Sequence, residues 1–442
     1  MKSDNALPLS PLGSARQRSE SAIPYPPGLL SELHDADLGE EEAFLAWQMG
    51  QLASEIGEAA RRDFVTLVAR SLISASQGST RMRLAAAENA LLRKVPALVG
   101  APGERKPLIV DGEFFYHQRV LVCETRLAAA IKARAAQPGA DPQAVKAAVA
   151  EVAATSTPPL SDEQRVAVAA ALGRRLAVVS GGPGTGKTTI ALALGRGLVR
   201  LGVSASELAL AAPTGKAANR LQESFQAGLA ALPAPSVEDR ALQSACPPAQ
   251  TLHRLLGYSP ATGRFLHHQN YRLAARAAIV DEGSMIDLAL MDRLLRALRD
   301  DAVLVLLGDA DQLPSVDAGA VFRDLGSLAV RLGRGFRTDQ AQAAGRRIGE
   351  CAAAVRAGDA DRLLASIAPR LTTLELAFDG VELVPATQRE AVLERWYQDR
   401  IAALPDWEQI IKREYLLGPA GFSPEEGALL EPLGIAIHSV DL

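Results

Sequence analysis

An α/β fold, a parallel sheet flanked by helices, is predicted by two features of this 442-residue sequence. Short continuous apolar runs at 176–180, 208–211, 278–280 and 303–307 suit strands buried on both faces. Glycine turns and helical segments separate them, which is the rhythm of strand–crossover–strand units. The first run ends in a complete glycine-rich phosphate loop that opens a helix.

The segments on either side follow from their punctuation. Residues before about 27 are polar and proline-bearing and read as a flexible lead-in. From 41 to 92 apolar positions such as Phe44, Leu45, Met49, Leu52 and Ile56 recur at helical spacing. Residues 107–112 and 114–116 read as two short strands joined by the Asp111-Gly112 turn, and 120–135 returns to helix. Prolines and glycine at 137–142, and Ser, Thr and Pro at 155–159, place a boundary near Thr157. The proline-bearing stretch 232–248 reads as a surface insertion or linker. Beyond Arg334 the pattern is helical again at 341–357 and 389–403. Three domains are expected: 1–157, small and mostly helical; 158–333, the sheet; and 334–442.

Composition excludes several classes. Hydrophobic residues at 48% and aromatics at 4% predict an aliphatic core. A formal charge of −4 and a pI near 6.0 give no global attraction to a polyanion, so a nucleic-acid surface would have to be local. Cys123, Cys246 and Cys351 are too scattered for a disulfide framework or a zinc site. The first 31 residues lack a signal-peptide apolar core, and no apolar run reaches the ~20 residues that span a bilayer, so a cytoplasmic protein without a membrane partner is expected.

The chemistry concentrates after the first strand. Gly181-Gly182-Pro183-Gly184-Thr185-Gly186-Lys187-Thr188 matches the phosphate-loop pattern in full, and Thr189 continues the helix. Its backbone N–H groups and the helix N-terminus suit the phosphates of ATP. Lys187 suits the β- and γ-phosphates, and the Thr188 hydroxyl suits Mg2+. Ile279-Val280-Asp281-Glu282 ends a later strand in two carboxylates, Asp281 for the Mg2+ shell and Glu282 as general base. Gln312, after another buried strand, is placed to hydrogen-bond a γ-phosphate or the attacking water.

These segments, together with Leu160-Ser161-Asp162-Glu163-Gln164, Ala212-Pro213-Thr214-Gly215-Lys216-Ala217-Ala218, Thr251-Leu252-His253-Arg254-Leu255-Leu256-Gly257 and Gly308 to Val316, occur in an order that resembles the RecD family. These are the alpha subunits of exodeoxyribonuclease V, in the 5′-to-3′ branch of superfamily 1 DNA helicases. The resemblance implies a RecA-like ATPase domain, a partner-docking N-terminal domain, a second RecA-like lobe and a heterotrimer with RecB-like and RecC-like subunits acting on single-stranded DNA and DNA ends. By position, Gln164 resembles the residue that reads the adenine edge, and Thr214, Lys216, Thr251 and His253 resemble contacts to the DNA strand. Arg337 resembles the arginine that reaches the γ-phosphate from the second lobe.

The match has departures. Gly283 stands where the family commonly has Ala, and Phe336 where Tyr is common. Nothing from Thr338 to Leu442 matches the family's later motifs, so the second lobe is expected to be incomplete and the chain a truncated or split form. A helicase subunit is the leading expectation, a non-motor assembly subunit the alternative, and a P-loop kinase is disfavoured by the Gly308 to Val316 segment. No clustered-carboxylate nuclease site stands out.

Overall fold

The computed structural model describes residues 23–312, 318–333, 343–369, 372, 375–377 and 381–402. The lead-in before Ile23, the Leu313-Pro314-Ser315-Val316 segment and Arg337 lie outside the described residues. The chain forms two compact units, Met1–Arg334 and Gly335–Leu442.

The first unit opens with helices α1 (Leu29–Asp35), α2 (Glu40–Leu52) and α3 (Glu58–Ser76). There follow β1 (Met82–Arg83), α4 (Ala86–Leu92), β2 (Val99–Gly100), β3 (Leu108–Asp111) and β4 (Phe114–His117). The four strands form a small sheet in the order β1-β4-β3-β2. Strands β3 and β4 are the expected antiparallel hairpin, with Gly112 at φ 61°. Strands β1 and β2, two residues each, are too short to leave a period in the sequence. Leu33, Ala46, Phe64, Val68, Leu92 and Phe115 share one core.

Helices α5 (Gln118–Ala135) and α6 (Pro142–Ala154) precede the expected boundary at 157, yet both pack with the central sheet. Leu127 of α5 joins the core on one sheet face, and Val145 and Val152 of α6 join the core on the other. Arg126 of α5 is paired with Asp292, its Nε 2.7 Å from Oδ1, and Arg134 donates to the carbonyls of Ala302 and Arg299.

The central region runs α7 (Asp162–Leu172), β5 (Leu176–Gly181), α8 (Lys187–Arg200), β6 (Leu208–Ala212), α9 (Gly215–Ala230), α10 (Val237–Ser244), β7 (Ala249–Thr251) and α11 (Leu252–Leu255). After the short hairpin β8 (Tyr258–Ser259) and β9 (Arg264–Phe265) come β10 (Ala277–Val280), α12 (Leu288–Ala297), β11 (Val303–Gly308), α13 (Val321–Asp324) and β12 (Ala329–Leu332). The six-stranded sheet has the order β12-β5-β11-β10-β6-β7, and every adjacent pair is parallel. Alternate residues feed the two faces. Val179, Leu210, Ile279 and Val305 meet α7, α8 and α9, whereas Val178, Ala211, Val280 and Leu306 meet α11 and α12. The fold is therefore a RecA-like α/β sheet flanked by helices.

The stretch 232–248 is no loose insertion. It carries α10, whose Leu242 is fully buried and whose Asp239 is enclosed between two arginines of α8. Arg196 donates to Asp239 at 2.8 and 3.0 Å, and Arg200 at 2.9 Å through two nitrogens. Ser236 and Asp239 complete a reciprocal cap at the start of α10. Burial by itself would push the Asp239 carboxyl up, but the two guanidiniums and the Ser236 N–H hold it far below the usual carboxylate range.

In the second unit, α14 (Ala343–Ala357) and α16 (Arg389–Tyr397) fall in the expected helical stretches, with α15 (Ala360–Ser366) and the paired β13 (Ala368–Pro369) and β14 (Glu382–Leu383) between them. Among the described residues, no helix is long and apolar enough to cross a membrane.

Asp239→Ala leaves buried guanidinium charge unpaired, so urea denaturation is expected to show a loss of about 3–5 kcal/mol. The sign of the pH dependence follows from a depressed folded pKa. The contribution of Asp239 is complete above about pH 4, the unfolded carboxyl value, and is lost only as pH falls through the folded value. Asp239→Asn is expected to flatten the acid limb of the stability curve; an unchanged limb would contradict this.

Candidate nucleotide and nucleic-acid site

The phosphate loop is braced from beneath. Gly184 and Gly186 have φ of 76° and 82°, the left-handed region that glycine enters freely, and Gly186 caps α8. A Cβ at Gly186 would lie 2.4 Å from Nε2 of Gln164. That amide is 4% exposed and engaged at both ends: Nε2 donates to the Thr185 carbonyl at 3.3 Å, and Oε1 accepts from Ser161 N–H at 3.0 Å. Its side chain thus supports the loop from below. Thr185 turns inward, its hydroxyl donating to the Gly182 carbonyl at 2.9 Å. Pro183 is exposed on the loop, and Thr188 and Thr189 are half-buried in the first turn of α8. Lys187 Nζ donates to the carbonyls of Gly181 and Gly182 at 2.7 and 3.4 Å, which holds its ammonium at the loop.

Asp281 follows β10 directly, its N–H donating to the Ala211 carbonyl at 2.9 Å. Its Oδ1 accepts from Glu282 N–H at 2.9 Å. Burial pushes the Asp281 carboxyl up and the neighbouring Glu282 adds to the rise, while the Glu282 N–H and the charges of Lys187 and Arg220 pull it down. Glu282 stands at φ 51°, a conformation that costs a non-glycine residue roughly 1–3 kcal/mol. Its Oε2 is buried and has no hydrogen-bond partner among the described residues. The following turn, Gly283–Met285, packs under Phe322; a Cβ at Gly283 would lie 3.0 Å from the ring and 3.2 Å from the Leu307 carbonyl. The departure from Ala at this position therefore matches a close approach by Phe322.

The loop after β11 lies between these groups. Ala310 N–H donates to Ser180 Oγ at 3.0 Å, which ties this loop to the strand bearing the phosphate loop. Asp309 accepts from Asp311 N–H through Oδ1 and from Gln312 N–H through its carbonyl, and Arg323 donates to the Gln312 carbonyl at 3.4 Å. Gln312 itself is half-buried.

Farther along the same sheet edge stand the other predicted residues. Thr214 and Thr251 cap α9 and α11, their hydroxyl oxygens accepting from Ala217 and Arg254 N–H at 3.3 and 3.2 Å. Each hydroxyl keeps its proton to donate. Lys216 is exposed in the first turn of α9. His253 is exposed and sits in an aromatic cluster, 5.3 Å from the Tyr258 ring and 5.6 Å from Phe265, over which the Arg293 guanidinium lies at 4.5 Å. Sequence reasoning missed Arg220, Ser180, Arg323 and the rings around His253, since each role depends on tertiary contacts that no local pattern encodes.

The strand order sets these groups in a row: phosphate loop after β5, Gln312 after β11, the acidic pair after β10, Thr214 and Lys216 after β6, Thr251 and His253 after β7. At about 4.8 Å per strand, the row spans roughly 19 Å. Glycine-loop amides, an ammonium, a threonine hydroxyl and two carboxylates, one with an unpartnered buried oxygen, form a donor set that suits a magnesium nucleotide. Among the described residues no cluster of three or more His, Cys, Asp or Glu could cage a metal ion.

A family described as an AAA domain matches residues 164–318. The chain is similar to the RecBCD enzyme subunit RecD of Mycolicibacterium smegmatis, 45% identical over 216 residues that cover 47% of this chain and 37% of the relative. It is also similar to the RecBCD enzyme subunit RecD of Haemophilus influenzae, 41% identical over 41% of this chain and 28% of the relative. The ATP-dependent RecD2 DNA helicase of Deinococcus radiodurans is 40% identical over 46% of this chain and 25% of its own length. The chain thus spans well under half the length of these relatives. A crystal structure of Pif1 helicase from Candida albicans aligns with 45% of this chain and 44% of its own at a TM-score of 0.31 and 20% identity.

Gln164→Ala would leave the Thr185 carbonyl and the Ser161 N–H unpaired in a buried setting. Thermal unfolding is expected to report a loss of about 1–3 kcal/mol, accompanied by faster amide exchange across 182–187. Exchange confined to α7 would contradict the bracing role.

Proposed function

We propose that this chain binds and hydrolyses ATP with Mg2+ and is a RecD-type DNA helicase subunit, moving 5′ to 3′ on single-stranded DNA. In this reading it assembles with RecB-like and RecC-like subunits in an exodeoxyribonuclease V-type complex acting at DNA ends in double-strand break repair and recombination. The row along the carboxyl edge is the observation that carries the proposal. Phosphate-side groups occupy one half, strand-contact candidates the other, and β10 with its acidic pair stands between them.

The roles follow the chemistry of each group. The loop amides from Gly181 to Thr189 and the Lys187 ammonium hold the phosphates; Thr188 and Asp281 hold Mg2+; Glu282 takes a proton from water; Gln312 orients it. When bound, Mg2+ supplies charge neutralisation at the phosphate oxygens. Thr214, Lys216, Thr251 and His253 face the DNA backbone, and Arg337 of the second unit is assigned to the γ-phosphate by its resemblance. A P-loop kinase has no use for the β6 and β7 groups.

Single-stranded DNA is expected to stimulate ATP hydrolysis by about 5- to 150-fold, measured with and without RecB-like and RecC-like partners. A rate indifferent to DNA in both settings would sink the motor reading. Lys187→Ala is expected to weaken Mg-ATP binding by about 1.5–3 kcal/mol, roughly ten- to hundredfold by calorimetry, because a charged hydrogen-bond donor is lost.

A further inference from the structure

We propose that Ser284 is a positioning residue whose hydroxyl binds one water molecule, and that this water ties the acidic turn to the Gln312 loop. The inference rests on the reading that both segments serve one nucleotide site.

Ser284 is 7% exposed, and its Oγ is buried without a hydrogen-bond partner among the described residues. A buried hydroxyl left unpaired costs roughly 1–3 kcal/mol, so a partner is expected. Ser284 lines a cavity of about 10 Å³ shared with Asp309, Ala310, Gln312, Ala320 and Arg323. About 10–15 Å³ holds a single water, provided two to four polar groups surround it. Ser284, Asp309, Gln312 and Arg323 supply them. One carboxylate and one guanidinium give the lining a formal charge of zero, which selects a neutral molecule that both donates and accepts over an ion.

The walls are built for this contact. A Cβ at Gly308 would lie 2.8 Å from the Phe322 ring and 3.0 Å from Ser284 N, so the glycine lets the acidic turn and the ring close on the end of β11. The Gln312 loop is held toward β5 by the Ala310–Ser180 bond and toward α13 by Arg323. Toward β10 it meets Ser284. A water there transmits any shift of the acidic turn to Gln312 through two hydrogen bonds.

The test uses the full chain with Ser284→Ala, Ser284→Thr and Arg323→Gln. Ser284→Ala is expected to raise amide exchange at Asp311 and Gln312 about tenfold and to lower kcat about tenfold, with KM within about twofold; Ser284→Thr, which keeps the hydroxyl, is expected to stay within about threefold of the parent. Unchanged exchange in Ser284→Ala overturns the proposal, as does a rise in KM with kcat unaltered. Should Ser284→Ala fail to fold, Arg323→Gln removes the opposite wall and is expected to raise the same exchange; no rise there overturns it. A crystal structure is expected to show one water about 2.8 Å from Ser284 Oγ, and a hydroxyl bonded directly to protein overturns it. If the parent chain hydrolyses no ATP, the nucleotide reading fails, while exchange and crystallography still decide the water.

Discussion

A parallel sheet buried on both faces obliges every strand to hand its chain to a crossover at the same edge, and that obligation places the candidate site. Strand β5 lies between β12 and β11, and its crossover leads toward β6 while that of β11 leads the opposite way to β12, so the phosphate loop emerges beside a point where neighbouring connections diverge. The loops that follow β11 and β12 flank it: Ser180 receives the Ala310 N–H on one side, and Gly333 N–H donates to Glu163 at 2.6 Å on the other. The second contact lies next to Gln164, so the neighbouring strand and the brace under the loop meet at the start of α7.

The electrostatics of the acidic pair follow from the same placement. Two adjacent carboxylates at the end of a buried strand are costly unless positive charge faces them. Lys187 comes from the strand two places away and Arg220 from the helix after β6, so relief reaches Asp281 from both halves of the row. Arg220 lies four residues beyond Lys216 on α9, one turn along the helix. Glu282 keeps both a strained backbone and an oxygen unpartnered among the described residues, local costs of the sort that persist where a group must stay available.

Much of this arrangement was legible because burial on both faces leaves unbroken apolar runs. Strands β5, β6, β10 and β11 are such runs, and the glycine pattern after β5 needs little context. The edge strands β7 and β12 were not legible: Ala249-Gln250-Thr251 and Ala329-Val330-Arg331-Leu332 are only partly buried and carry polar residues, as edge strands do. Gln164 was assigned to the adenine edge by resemblance alone, and its burial beneath Gly186 depends on packing that no local pattern encodes. The stretch 232–248 misled because proline content records breaks in the chain, whereas the burial of Asp239 depends on arginines about forty residues earlier.

Helix α8 shows how these local facts combine. Its first turn carries Lys187, Thr188 and Thr189, and its last turns carry Arg196 and Arg200. The first end is fixed by the glycine loop over Gln164, the other by Asp239 of α10 and by Thr155 and Ser156 just after α6. A helix fixed at both ends cannot rotate or slide to adjust its N-terminus, so the loop's amides keep one orientation toward a phosphate, which is what preorganised electrostatic binding requires. The buried ion cluster lies about 14 Å from Lys187 at 1.5 Å per residue, and it contributes to the site through the rigidity of the helix between them.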